Sequence, residues 1–336
     1  RRTVITESQH DLTVEDLISE EDRVVTISHS GYAKTQPLSD YQSQHRGGTG
    51  KSATAVKDDD FVEHLLIAST HSTILCFTNV GKVYWLKVYQ IPVAGRNSKG
   101  RPMINLLPLD ENERINSILT VSEYDKNKYI IMATANGTVK KTSLDQYSRP
   151  RSVGLRAVDL VEGDHLVGSA ITDGNSDVML FSSEGKAVRF SESDVRSVGR
   201  VSKGVRGMRL PAEHKVLSMI IPADNGYALT VSASGYGKRT KLTEFPTKGR
   251  GGKGMIAMQA SKRNGPLVGV VQLFDRDEIM LISDQGTMVR TRCDEISVLG
   301  RNTQGVRVIR LRDQEIMVGL ARVEEQNYVD DFESED

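Results

Sequence analysis

Short apolar runs alternate with polar turn clusters along this chain, at lengths that suit strands rather than helices. In one stretch KVLSMIIPA (215–223) is followed by the turn DNG, the run YALTVSAS and a third segment, GYGKRTKL. A later stretch repeats the order as LVGVVQLF, DRDE, IMLISDQ and GTMVRTRC, and an earlier one as LVGSAIT, DGNSD, VMLFSSE and GKAVRFSE. Runs this short, bounded by Gly, Asn and Asp, predict antiparallel sheet. A polar stretch with a one-turn helix signal comes next (LDQYS, SESDV, LTEFP, CDEIS), then a last strand such as GVRGMRL or GVRVIRL. About four strands per unit is the content of a propeller-type blade.

The unit recurs six times. Its turn glycines are Gly31, Gly81, Gly137, Gly185, Gly235 and Gly286, spaced by roughly 50 residues, a period that signals a repeat architecture. An arginine four residues before another glycine follows most of them: RGGTG (46–50), RNSKG (96–100), RVSKG (200–204), RGGKG (250–254) and RNTQG (301–305). The third unit departs from this spacing, with RPRSVG at 149–154. The expected fold is all-β: a six-bladed array of four-stranded antiparallel blades over residues 23–323. The first unit, RVVTISHSGYAKT, lacks a leading apolar run, whereas EIMVGLARV (315–323) follows the last hairpin. That final run is expected to complete the first blade, closing the array and covering its strand edges. Residues 1–22 read as a lead-in from a preceding part of a longer protein. Residues 324–336, highly charged and poor in apolar groups, are expected to be disordered.

Charge changes the picture. The 44 basic and 44 acidic residues balance, but seven acids fall in residues 1–23 and seven more in the last thirteen. With those segments set aside, residues 24–323 hold 41 basic and 30 acidic side chains, a net of +11. A basic body beside an acidic tail suggests a polyanionic partner and a tail able to compete with it. A solvated surface accounts for a charge of this size equally well. Cys76 and Cys293 lie far apart in apolar contexts, which gives neither a disulfide framework nor a metal set and suits buried thiols in a reducing compartment. No apolar run approaches the ~20 residues that span a bilayer, and no secretory leader opens the sequence. These features predict a cytoplasmic protein.

Candidate binding residues follow the repeat. At the third or fourth position beyond each turn glycine stand Lys34, Lys140 with Lys141, Arg189, Lys238 with Arg239, and Arg290; the second unit has Tyr84 and Trp85, with Lys87 beyond. Equivalent strand positions point the same way, so a belt of cations around the perimeter is expected; the alternative is solvated cations on an outward face. In the Arg–Gly loops, glycines leave backbone N–H groups open to a phosphate and arginine offers a bidentate fork. Those loops contribute Arg96, Lys99, Arg101, Arg200, Lys203, Arg250, Lys253 and Arg301. The densest is the run Gln44, His45, Arg46, Gly47, Gly48, Thr49, Gly50 and Lys51. As turns alone, these glycines need no partner. The GTGKS ending at Ser52 lacks the strand, helix and leading glycine of a nucleotide P-loop, and Gly249, Gly251 and Gly254 lack the βαβ unit of a dinucleotide site. His64 and His71 make no metal set, and no nucleophile–base constellation stands out.

EEDRVVTISHSGYAKTQPLSDYQSQHRGGTGKSA (20–53) closely resembles the start of the C-terminal domain of the A subunit of bacterial DNA gyrase. ILCFTNVGKVYWLKVYQIP, GRPMINLLPL and ATANGTVKKT are similar to its later segments. The resemblance covers essentially the whole chain. The family's box reads QRRGGKG; here Gln44 to Gly50 reads QHRGGTG, so His45 and Thr49 replace an arginine and a lysine. The resemblance implies a six-bladed β-pinwheel that wraps double-stranded DNA around a basic rim for negative supercoiling. It implies partnership with the rest of gyrase A and with gyrase B in a heterotetramer, a monomeric isolated domain, and a cytoplasmic, nucleoid-associated location. It places the catalytic residues, and the use of ATP and magnesium, outside this region, so no cofactor and no enzymatic activity are expected of the domain itself. The acidic tail is expected to restrain wrapping, and RGGKG at 250–254 to offset the altered box. The rival readings are the C-terminal domain of the topoisomerase IV C subunit and a protein-binding propeller scaffold.

Overall fold

The computed structural model describes residues 14–37, 60, 62–95, 98–285, 287–312 and 314–323. Its strands form six antiparallel sheets, five of four strands and a sixth with three among the described residues. Each is built on a hairpin, and in the first five the turn glycine takes a left-handed conformation, with φ between 77° and 84° at Gly31, Gly81, Gly137, Gly185 and Gly235. The hairpins are β1 (Asp22–Ser28) with β2 (Tyr32–Pro37), β4 (Thr73–Thr78) with β5 (Lys82–Lys87), and β8 (Tyr129–Thr134) with β9 (Thr138–Ser143). They continue as β12 (Asp177–Ser182) with β13 (Lys186–Ser191), β16 (Tyr227–Ser232) with β17 (Tyr236–Lys241), and β20 (Glu278–Ser283) with β21 (Met288–Arg292).

The long apolar strand between two hairpins pairs with the hairpin before it. These strands are β3 (Val62–Ser69), β7 (Ile115–Val121), β11 (Leu166–Thr172), β15 (Val216–Ile220), β19 (Leu267–Leu273) and β23 (Met317–Val323). β3 pairs with β1, and β23 pairs with β20 in the sixth sheet. The expected completion of the first sheet by residues 315–323 is therefore corrected. The first hairpin needs no leading strand because β3 follows it. Successive members of this set touch from β7 through β11, β15, β19 and β23 to β3, and the first and second sheets share an apolar core, so the array closes as a ring.

The opposite edge is made by exchange between units. Two-residue strands β6 (Arg101–Pro102), β10 (Leu155–Arg156), β14 (Val205–Arg206), β18 (Met255–Ile256) and β22 (Val306–Arg307) each join the sheet of the preceding unit. Just beyond them, the N–H groups of Met103, Ala157, Gly207, Ala257 and Val308 donate to the carbonyls of Gly31, Gly81, Gly137, Gly185 and Gly235. Exchange thus ties the second to sixth units each to its predecessor through backbone hydrogen bonds among the described residues.

Apolar cores lie between sheets. Val25, Ile27, Cys76 and Leu86 join the first two, and Phe77, Val83, Ile130 and Met132 the second and third. Met179, Phe181, Ala228 and Phe245 join the fourth and fifth. Both cysteines are free and buried, and burial pushes the Cys76 thiol up to about 12. The expected one-turn helices are present at Leu144–Tyr147, Glu192–Asp194, Leu242–Glu244 and Cys293–Glu295. Among the described residues, no helix is long and apolar enough to cross a membrane.

Candidate nucleic-acid interface

The Arg–Gly loops run immediately before the exchanged strands and so lie on the outside of the ring. Each ends on a glycine pressed against the sheet it joins. A Cβ on Gly100 would lie 2.3 Å from the Ala33 carbonyl oxygen, and one on Gly204 2.4 Å from that of Val139. Both have positive φ, 84° and 90°, so only glycine brings the loop this close without strain. Lys99, Arg101, Lys203, Arg250 and Lys253 are exposed on these loops, and Arg200 and Arg301 are half-buried. Arg250 is anchored by its own side chain: Nε donates to the Asp194 carbonyl at 3.0 Å and Nη1 to that of Arg206 at 2.9 Å. Arg301 donates from Nη1 to the Ile256 carbonyl and lies 5.8 Å from the Phe245 ring centroid. Arg96 and the run Gln44 to Lys51 lie outside the described residues.

The cations that follow the turn glycines occupy different ground. Lys34, Lys140 and Lys238 are interior residues, with 2 %, 1 % and 0 % of their surface exposed. Their Nζ atoms point at backbone carbonyls at the near ends of the Arg–Gly loops: Lys34 at Gly95, Lys140 at Arg200, Lys238 at Gly300 and Arg301; Lys140 also points at the carbonyl of Ala157, just beyond β10. The expected belt is corrected here. It merged the third and fourth positions beyond the glycine, which a strand sends to opposite faces.

In the last four units the fourth position carries a cation bound to acidic or carbonyl partners. Arg189 Nε lies 2.7 Å from Asp177 Oδ2, Arg239 Nη1 lies 3.0 Å from Asp275 Oδ1, and Arg290 pairs with Glu278. Lys141 donates to the Glu192 carbonyl at 2.8 Å; with Arg239 it is buried, so these two also leave the exposed belt. Lys87, half-buried, donates to Glu15 Oε1 and to the His71 carbonyl.

The rim holds other exposed arginines that the pattern reading missed. Arg156, Arg206 and Arg307 are the second residues of β10, β14 and β22, and all are exposed. Arg209 and Arg310 follow three residues after the last two. The signal was a recurrent Gly-x-Arg, at 154–156, 204–206 and 305–307. Arg307 donates to Tyr236 Oη at 3.1 Å, and Arg263 lies 4.7 Å from the same ring centroid. Hydrogen bonds from the side chains of Arg263 and then Arg307 hold the Tyr236 hydroxyl below the usual phenol range. Guanidinium and ammonium groups spaced along successive outer edges form an array that can neutralise a row of phosphates.

The model of the DNA gyrase C-terminal domain, beta-propeller, matches this chain over residues 22–69, 72–122, 128–173, 176–223, 226–273 and 277–324, one match per unit. The A subunit of DNA gyrase from Salmonella typhimurium is 56 % identical over 99 % of this chain and 38 % of that protein. Its counterpart from Escherichia coli K12 is 53 % identical over the whole chain and 38 % of its own length. The chain thus spans about two fifths of the curated relatives it matches. Among solved structures, a C-terminal domain of DNA topoisomerase IV superposes with a TM-score of 0.81 at 27 % identity, covering 94 % of this chain and 97 % of that one. A DNA gyrase A C-terminal domain does so with 0.67 at 26 % identity, covering 90 % and 99 %.

Proposed function

We propose, for a chain that belongs to the DNA gyrase C-terminal domain, beta-propeller, family, that it binds and wraps double-stranded DNA around its outer rim. The observation that carries the reading is the placement of the Arg–Gly loops and of Arg156, Arg206 and Arg307 at the exchanged edges of successive sheets. A duplex following that edge meets cations from one unit after another, bends around the ring, and is held through its phosphates with little regard to sequence. Bending of this kind costs of order 1–6 kcal/mol over a 20–30 base-pair stretch, which contacts from several units offset together.

In the assembled enzyme the wrapped duplex would be presented to a cleavage core elsewhere in the longer polypeptide. The partners would be the rest of gyrase A and gyrase B in a heterotetramer, and the compartment the cytoplasm. ATP and magnesium would act outside this chain. A topoisomerase IV role, positioning DNA for decatenation, is favoured by the TM-score of 0.81; identity above 50 % to the gyrase A proteins of two organisms outweighs it.

The expected result is a steep salt dependence of duplex affinity, with log K falling by about 0.9 per phosphate neutralised for each tenfold rise in salt. Titration of a fluorescent duplex between 50 and 200 mM salt, roughly the window in which phosphate-driven binding weakens most visibly, measures it. A flat profile would favour the protein-binding scaffold.

A further inference from the structure

The third-position lysines of the first, third and fifth sheets are among the most buried side chains in the ring. At the same point the second and fourth sheets have Tyr84 and Val188, shown by pairing of Cys76 with Tyr84 and Leu180 with Val188 where Thr26, Met132 and Thr230 face the three lysines. Each lysine lies beneath an Arg–Gly loop donated by the following unit. That loop is fixed at its far end by a glycine against the sheet, Gly100, Gly204 or Gly305, and at its near end by the lysine. Lys238 Nζ lies 2.5 Å from the Gly300 carbonyl oxygen and 2.7 Å from that of Arg301. Lys140 Nζ lies 2.5 Å from the Ala157 carbonyl oxygen and also donates to Arg200, and Lys34 Nζ lies 3.2 Å from that of Gly95. The loops of the third and fifth units are seated otherwise. Gly154 rests on the Tyr84 ring, and Arg250 makes its own bonds to Asp194 and Arg206.

We propose that Lys34, Lys140 and Lys238 are positioning residues for the DNA interface: buried ammonium clips that hold alternate Arg–Gly loops in place, and with them the exposed Lys99 and Lys203 on the first two loops and Arg307 just beyond the third. The inference rests on the duplex-binding reading above. An interior ammonium is costly unless it is hydrogen-bonded, and here its partners include carbonyls at the near end of the overlying loop: Gly95, Arg200, or Gly300 with Arg301. The loop and the clip therefore order each other.

Burial, with Arg200 adding to it and Asp159 opposing it, lowers the Lys140 pKa to about 7. Burial also lowers that of Lys238, to about 8, with Glu244 opposing and Arg301 adding. A duplex phosphate laid on either loop brings negative charge toward the ammonium and favours it. Binding then takes up protons and weakens as pH rises from 7 to 9; a pKa rise of about half a unit corresponds over that window to roughly a twofold weakening per lysine.

The test uses the 336-residue chain, a fluorescent duplex, and the variants Lys140→Met and Lys238→Met. Each is expected to lose about tenfold in affinity, as for a lost charge-assisted hydrogen bond, and to lose part of the pH dependence between 7 and 9. Amide exchange should accelerate in 199–204 for the first and in 299–305 for the second. Parental affinity, pH profile and exchange in folded variants would overturn the proposal. If either variant does not fold, the unmodified chain decides: calorimetry in two buffers of different ionisation enthalpy at pH 8 should show proton uptake on duplex binding, and none would overturn it. Absence of duplex binding by the unmodified chain would sink the functional reading instead.

Discussion

Replacing Arg156, Arg206 and Arg307 together by alanine should reduce the salt slope of duplex binding by about 2.7, about 0.9 for each phosphate left without its cation. If affinity at 1 M salt is unchanged, that slope amounts to about 500-fold at 0.1 M. The three stand at matching positions of β10, β14 and β22, on the outer edges of the second, third and fifth sheets, so a bent duplex can meet all three. Their local bonds are peripheral. Arg156 lies 3.2 Å from Asp159, with its side chain 65 % exposed, and Arg307 donates to the Tyr236 hydroxyl. An exposed pair of this kind contributes about 0–1 kcal/mol, so the thermal midpoint should hardly move. The weakening should also be uniform across duplex sequences, because phosphate contacts carry no base information. Fluorescence titrations at several salt concentrations on two unrelated duplexes measure both. An unchanged slope would remove these arginines from the interface.

Phe181→Ala should cost about 3–5 kcal/mol of stability, the range for deleting a buried phenyl ring. Phe181 is fully buried on β12, and its ring meets that of Phe245 edge-on, with centroids 5.8 Å apart and planes at 76°. Met179, Ala187, Ala257 and Met258 share the same core between the fourth and fifth sheets. Two sheets held by backbone exchange at their edges cannot slide together to fill the space, so the cavity should persist. Val201→Ala, at a side chain 67 % exposed in a neighbouring loop, should change stability by less than about 0.5 kcal/mol. Urea unfolding followed by circular dichroism compares the two. An unchanged midpoint for Phe181→Ala would mean that the inter-sheet core is not what holds adjacent units.

Turn chemistry made the architecture legible. A turn glycine recurs at each hairpin, at positive φ in the first five, and its recurrence gave the number of units. The exchange was not legible, because a two-residue strand such as Val205–Arg206 has no periodicity of its own. Its partner, Thr138–Val139, lies more than 60 residues earlier in the chain. The same blindness put residues 315–323 in the wrong sheet. Lysines at the third position looked like surface because lysine usually is; strand parity separates them from Lys141, Arg189 and Arg239, and only the loop crossing overhead explains their burial. Arg206 and Arg307 were visible as Gly-x-Arg, yet the Arg–Gly spacing before them drew the reading one step too early. His45 and Thr49, the two departures from the family's box, fall outside the described residues.

Wrapping of duplex around the rim, proposed above, traps a change in linking number when the DNA is sealed. The most direct measurement is ligase closure of nicked plasmid in the presence of the chain at low salt, with the linking number of the sealed, deproteinised product read on a gel. A shift of one sign is expected, growing with the amount of chain bound and disappearing at high salt. A topoisomer distribution centred where ligase alone leaves it, under conditions where binding is demonstrated, would contradict it.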